Sequence, residues 1–171
     1  KLTAERYLAF FSESTRITGA TLRLPNIYGP GPSSSRPDRG ILNAMIRRAL
    51  KGKALTLYGD GQYCRDYLYI DDTVNAFLAA GDVGRGLRGD HYVLGTGTAT
   101  TLRDAFALVA DLVGEKTGHR VPVEHIDPPL PLSPIETRDF VADSSAFQAE
   151  VGWKNMVDLK TGISRTIEAF S

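Results

Sequence analysis

The sequence predicts an α/β fold, and three observations carry that expectation. Segments with apolar residues at helical spacing alternate along the chain with short apolar or alternating runs. Glycine, proline and polar clusters mark the joins between them. Neither internal repeats nor heptads compete with this pattern. A continuous βαβαβ series, as a complete nucleotide-binding half requires, is missing from the 171 residues.

Taken in order, Leu2, Ala4, Tyr7, Leu8 and Phe11 fall on one helical face, with Gly19 as a natural stop. "ATLRL" (20–24) alternates like a strand and enters the breaker-rich "PNIYGPGPSSSRPDRG", which reads as a long functional or disordered loop. Leu42, Met45, Ile46, Ala49 and Leu50 make the next helical face, closed by Gly52. "ALTLY" and "DYLYI" read as strands around a glycine turn. Asp71 or Asp72 is expected to cap the helix carrying Val74, Phe77 and Leu78. "HYVLG" reads as a strand, and Thr101 with Asp104 resembles a capping box before Leu102, Phe106, Val109 and Val113. "RVPVEHI" is a further strand, "DPPLPLSP" a connector and "RDFVAD" a short extended piece. Ser144 or Ser145 starts a helix with Phe147 and Val151, and Leu159, Ile163, Ile167 and Phe170 define the closing helix.

Twenty basic residues balance twenty acidic ones, so no global field attracts nucleic acid or an anionic membrane. The lone Cys64 excludes an internal disulfide framework and fits a reducing compartment, which predicts a cytoplasmic protein. The apolar runs are too short to span a bilayer, and no secretory pattern opens the chain. Helix-forming sequence follows Lys1 at once, without an initiator Met or a leading strand, as in a chain cut from something longer.

His91, His119 and His125 lack metal-ligand spacing, and no metal is expected. "GTGTATT" (95–101) precedes a helix and offers a weak phosphate cradle, with capping as the ordinary use of its threonines. Asp71 and Asp72 point in different directions, which disfavours paired-carboxylate chemistry. Tyr63, Tyr67 and Tyr69 alternate along one strand face, so core packing is their default. Arg65 has two readings on spacing alone: a salt bridge with Asp66 or Asp71, or a planar fork held for an anion.

Three motifs then act as a set. "LRLPNIYGPG", "TLYGDGQYCRDYLYIDD" and "TRDFVADSSAFQAEVGW" occur in an order and spacing that resemble the C-terminal half of an extended short-chain dehydrogenase/reductase. More narrowly, they resemble the NAD-dependent nucleotide-sugar epimerase/dehydratase family of the UDP-glucose 4-epimerase kind. The resemblance covers nearly the whole chain. It implies that residues 1–29 are the final helix and strand of a Rossmann domain. Residues 30–171 would form a smaller mixed α/β substrate-binding region, with one segment possible as a return to the Rossmann sheet.

The same resemblance implies roles for individual residues. "KLTAE" fits the tail of a Tyr-x-x-x-Lys active site, so Lys1 would be the lysine that holds the nicotinamide ribose of NAD and lowers the tyrosine's pKa by its charge. Pro25 would lie beside the nicotinamide, and Asn26 would hydrogen-bond the diphosphate-sugar portion of the substrate. Leu42 and Tyr58 would flank the base, while Arg65 would clamp the diphosphate. Arg138 matches a variable basic position of the substrate site, and Ser133 stands where many members place a phosphate-touching arginine. Arg36 or Arg39 could compensate.

By the same analogy, the intact parent would be an NAD-dependent nucleotide-sugar 4-epimerase, with 4,6-dehydratase and 4-ketoreductase as near alternatives. NAD would be bound mainly by a preceding half, a homodimer would pack first helix on first helix, and the 171 residues alone would be inactive. Two other classes are a non-enzymatic ligand-binding module and a nucleic-acid binder using Arg36, Arg39, Arg47 and Arg48. The neutral net charge argues against the latter.

Overall fold

A computed structural model describes residues 1–14, 17–31, 40–82, 87–128 and 133–171. The elements are α1 (Leu2–Ser14), β1 (Gly19–Arg23), β2 (Asn26–Tyr28), α2 (Ile41–Leu50), β3 (Leu55–Tyr58), β4 (Cys64–Arg65), β5 (Tyr67–Tyr69), α3 (Ile70–Asp82), β6 (Arg88–Val93), β7 (Thr100–Thr101), α4 (Leu102–Thr117), β8 (Val123–Ile126), α5 (Ser145–Val151) and α6 (Leu159–Phe170). The mixed α/β class is therefore as the sequence predicts. Among the described residues the strands form two-stranded ladders: β1–β6, β2–β5 and β3–β8 are parallel, and β4–β7 is antiparallel. No helix among them is long and apolar enough to cross a membrane.

Strand β5 divides the interior. Successive strand side chains point to opposite faces, so Tyr67 and Tyr69 join one apolar cluster while Leu68 joins another. The first cluster gathers α2, α4 and α6 through Leu42, Ile46, Phe106, Val109 and Ile163. The second packs Leu68 with Tyr92, Leu94, Phe147 and Trp153. Leu68 is fully buried, and such burial of a leucine contributes about 2 kcal/mol. A short strand with large side chains on both faces thus joins two cores.

Thr101 caps α4 by accepting from the Asp104 amide at 3.0 Å, as its spacing predicts. Other expectations need correction. Gly19 opens β1 rather than ending the first helix. Asn26–Tyr28 is a strand inside a stretch that reads as loop; three residues between Pro25 and Gly29 are too few to display alternation. Asp71 and Asp72 lie within the first turn of α3 and are not its N-cap. Asp72 is buried, and its carboxylate accepts from the amides of Met156 and Val157, both at 3.0 Å. A carboxylate one turn inside a helix can reach a distant chain segment that sequence spacing does not reveal. Helix α5 does start at Ser145, as the sequence predicts, and the Ser144 hydroxyl just before it donates to the Gly95 carbonyl.

Candidate functional site

The ladder between β2 and β5 sets Asn26 opposite Tyr67. Its parallel pairing places these two side chains on one face of the ladder. There they line a cleft of about 550 Å³, together with Lys1, Pro25, Gly40, Ile41 and Leu42. Asn43 holds the walls together: its side chain accepts from the Gly29 amide at 3.1 Å and donates to the Gly29 carbonyl at 2.9 Å. The start of α2 is thereby fixed to the end of β2.

The cleft is built to receive negative charge. Helix α2 begins at its edge, with Gly40 supplying no side-chain cap and no acidic residue in the first turn. A helix start favours an anion. The exposed Lys1 adds a positive group, and among the described residues no acidic side chain lines the cleft. Tyr67 is 4% exposed, and its hydroxyl has no hydrogen-bond partner among the described residues. Burial pushes the Tyr67 phenol up to about 12, with the nearby charge of Arg65 acting in the opposite direction. The hydroxyl is therefore a neutral donor throughout the physiological range.

Arg65 pairs with neither of the carboxylates that spacing suggests. Its guanidinium donates to the carbonyls of Cys64 at 2.9 Å, Glu136 at 2.6 Å and Arg138 at 2.5 Å. Asp66, the next residue, points the other way and is fully buried. Its carboxylate accepts from the amides of Thr96, Gly97 and Ala142 and from the Thr96 hydroxyl. That network explains "GTGTATT". Gly97 takes φ +72, and a Cβ on Gly95 would collide with Ala142 and Asp66. The weak phosphate cradle is thus a carboxylate cradle, filled by the protein itself.

The structure brings together Lys1, Pro25, Asn26 and Leu42 from the site that the resemblance implies. Among the described residues the cleft lining does not extend to Tyr58, Arg65 or Arg138. Tyr58 ends β3, paired with Ile126 and 43% exposed. Arg138 is exposed, with its guanidinium 5.9 Å from the centre of the Phe140 ring. Ser133 closes a turn, its amide donating to the Glu136 carboxylate at 2.8 Å. Arg36 and Arg39 lie outside the described residues. No group of metal-binding side chains occurs among the described residues. Tyr67 joins the core, as the sequence predicts, and it also lines the cleft, a position the sequence reading did not assign. Its position two residues after Arg65 on a strand was the available signal.

The profile of the NAD dependent epimerase/dehydratase family matches residues 1–95. The chain belongs to that family. It is 29% identical to a UDP-glucose 4-epimerase of Mycolicibacterium smegmatis over 99% of its own length and 51% of the relative's. It is also 29% identical to a dTDP-glucose 4,6-dehydratase of Escherichia coli, over 84% of this chain and 38% of that one. The crystal structure of a Thermotoga maritima UDP-glucose 4-epimerase with UDP-glucose superimposes with a TM-score of 0.83 at 30% identity. That superposition covers 99% of this family member and 51% of the Thermotoga chain. The chain therefore spans about half the length of relatives that are nucleotide-sugar epimerases and dehydratases.

Proposed function

We propose that the cleft binds the nucleotide sugar of an NAD-dependent 4-epimerase of the UDP-glucose 4-epimerase kind. The observation that carries this reading is the convergence of Lys1, Pro25, Asn26 and Leu42, drawn from separate segments, on one cleft whose described lining carries no acidic side chain. Asn26 would offer its amide to the diphosphate-sugar portion, as both donor and acceptor. Leu42 would present apolar surface to the base, with Tyr58 beyond it. Arg65, anchored by backbone carbonyls, would add a fixed positive charge, and Arg138 would add a second basic group.

Two lining residues fit a nicotinamide nucleotide: the Lys1 ammonium for ribose hydroxyls and the apolar ring of Pro25 for the nicotinamide. When bound, NAD would accept and return the hydride. Lys1 would hold the ribose and lower the pKa of a tyrosine base supplied from outside these residues. The other residues named here position and do not transfer protons.

Residues 1–29 would complete a Rossmann sheet, and the parallel β1–β6 ladder supports a return of residues 88–93 to it. The remainder of 30–171 would hold the substrate. Exposed Leu2, Tyr7 and Phe10 on α1 support a homodimer through that helix. The free thiol of Cys64 supports a reducing compartment, the cytoplasm.

Full-length protein incubated with UDP-glucose and NAD should yield UDP-galactose. A 4-keto-6-deoxy sugar would move the assignment to dehydratase. Tight binding without any turnover would favour a non-enzymatic module, and no binding would end the reading.

A further inference from the structure

We infer that Asp139 is a positioning residue for Arg65, holding the arginine in the conformation that meets the ligand's diphosphate; the inference rests on the role proposed for Arg65 above. Three consecutive residues grip β4 where Arg65 arises. The Arg138 carbonyl accepts from Arg65 Nη1, and the Phe140 amide donates to the Cys64 carbonyl at 3.0 Å. Between them, the Asp139 carboxylate accepts from the Cys64 amide at 2.7 Å. Both backbone polar groups of Cys64, the residue directly before Arg65, are thereby tied to the 138–140 segment. The guanidinium takes its orientation from the same stretch of chain, Nη1 donating to the Cys64 and Arg138 carbonyls and Nη2 to that of Glu136. A guanidinium carries five N–H donors. Its Nε has no partner among the described residues, so Nε–H and the second Nη2–H remain for an anion. An unrestrained arginine loses rotamer freedom when it binds, and one already held has less to lose. Asp139 thus raises affinity without touching the ligand. Its own charge works the other way, since a carboxylate near an anion weakens binding. A loss of affinity when that charge is removed therefore reports position.

The test uses full-length protein with UDP and uridine as probes, and compares Asp139→Ala, Asp139→Asn, Arg65→Ala and the Arg65→Ala/Asp139→Ala pair with wild type. Asp139→Ala should bind UDP roughly five-fold more weakly, the scale of one net hydrogen bond. Uridine affinity should not change. Asp139→Asn keeps an acceptor oxygen and should bind UDP as wild type does. In the Arg65→Ala background, Asp139→Ala should add no further loss, because the group it positions is gone. Equal or tighter UDP binding by Asp139→Ala would overturn the inference and leave the binding reading intact, whether or not the melting temperature falls. So would a full second loss in the paired variant, or wild-type UDP affinity in Arg65→Ala. An Asp139→Asn protein as weak as Asp139→Ala would deny the hydrogen-bond tether. Failure of Asp139→Ala to fold, or parallel loss of uridine and UDP, would make the contact structural and overturn the positioning role. In wild type labelled with 15N-arginine, UDP should shift the Arg65 Nε–H resonance and uridine should not; the absence of a UDP shift counts against the assignment. Failure of wild type to bind UDP would sink both readings.

Discussion

Asn26 and Tyr67 stand opposite one another in the β2–β5 register and line the same cleft, although 41 positions of sequence separate them. One is a half-buried amide and the other a buried phenol. Asn26→Ala should therefore weaken UDP-glucose binding by about ten-fold, while the backbone bond from the Asn26 amide to the Asp66 carbonyl persists. Calorimetry and thermal melting on one sample check this. A collapse in melting temperature would show that the amide serves the fold.

Arg65 has two jobs that a pair of variants can separate. Arg65→Ala should lower UDP affinity ten-fold or more, the order expected for a lost charged hydrogen-bond pair. It should also lower the melting temperature, because the carbonyls of Glu136 and Arg138 lose their donor. Arg65→Lys restores the charge but not the fork, so affinity should recover in part and thermal stability should not. Undiminished UDP affinity in Arg65→Ala would reduce Arg65 to a loop tether.

Asp66→Asn places an amide donor among the donors of Thr96, Gly97 and Ala142. The expected loss is about 2–3 kcal/mol, from unsatisfied buried donors. Urea denaturation should show it as a lower midpoint, and an unchanged midpoint would contradict the network described for this carboxylate.

Asp158 caps α6, accepting from the Thr161 amide at 2.8 Å and the Thr161 hydroxyl at 2.9 Å. These hydrogen bonds, the backbone one first, hold its carboxyl below the usual carboxylate range. A lowered folded pKa gives stability that is present above the ordinary carboxylate value and lost as pH falls through the folded one. Asp158→Ala should cost about 1 kcal/mol at neutral pH, and the gap from wild type should close in acid. Parallel stability curves across that range would refute the cap.

Tyr7 and Phe10 on α1 are 62% and 60% exposed and border one apolar depression. If a second copy covers them, Phe10→Glu should convert a dimer to a monomer in sedimentation while each protomer keeps its UDP affinity. A monomeric wild type would remove that interface.

Much of the framework was legible in the sequence because it rests on local periodicity. The faces of α2, α4 and α6 follow from apolar spacing, and the Thr101 cap follows from a four-residue motif. The motif order also named the family and four residues of the cleft. Short elements escaped: β2, β4 and β7 have too few residues for any period to show.

The partners of charged and polar side chains were decided elsewhere. Arg65 and Asp66 read as neighbours able to pair, yet strand geometry sends one toward the 136–138 carbonyls and the other to Thr96, Gly97 and Ala142. Asp72 reads as a cap and instead binds residues 156 and 157. Tyr67 reads as core and joins the buried cluster, and only its register against Asn26 brings it into the cleft lining as well. By itself the sequence determined the α/β class, the family and the residue types available for binding, because those depend on order and local spacing. Tertiary structure alone decided which of them share a cleft, because register and the alternation of strand faces join positions that no local pattern connects.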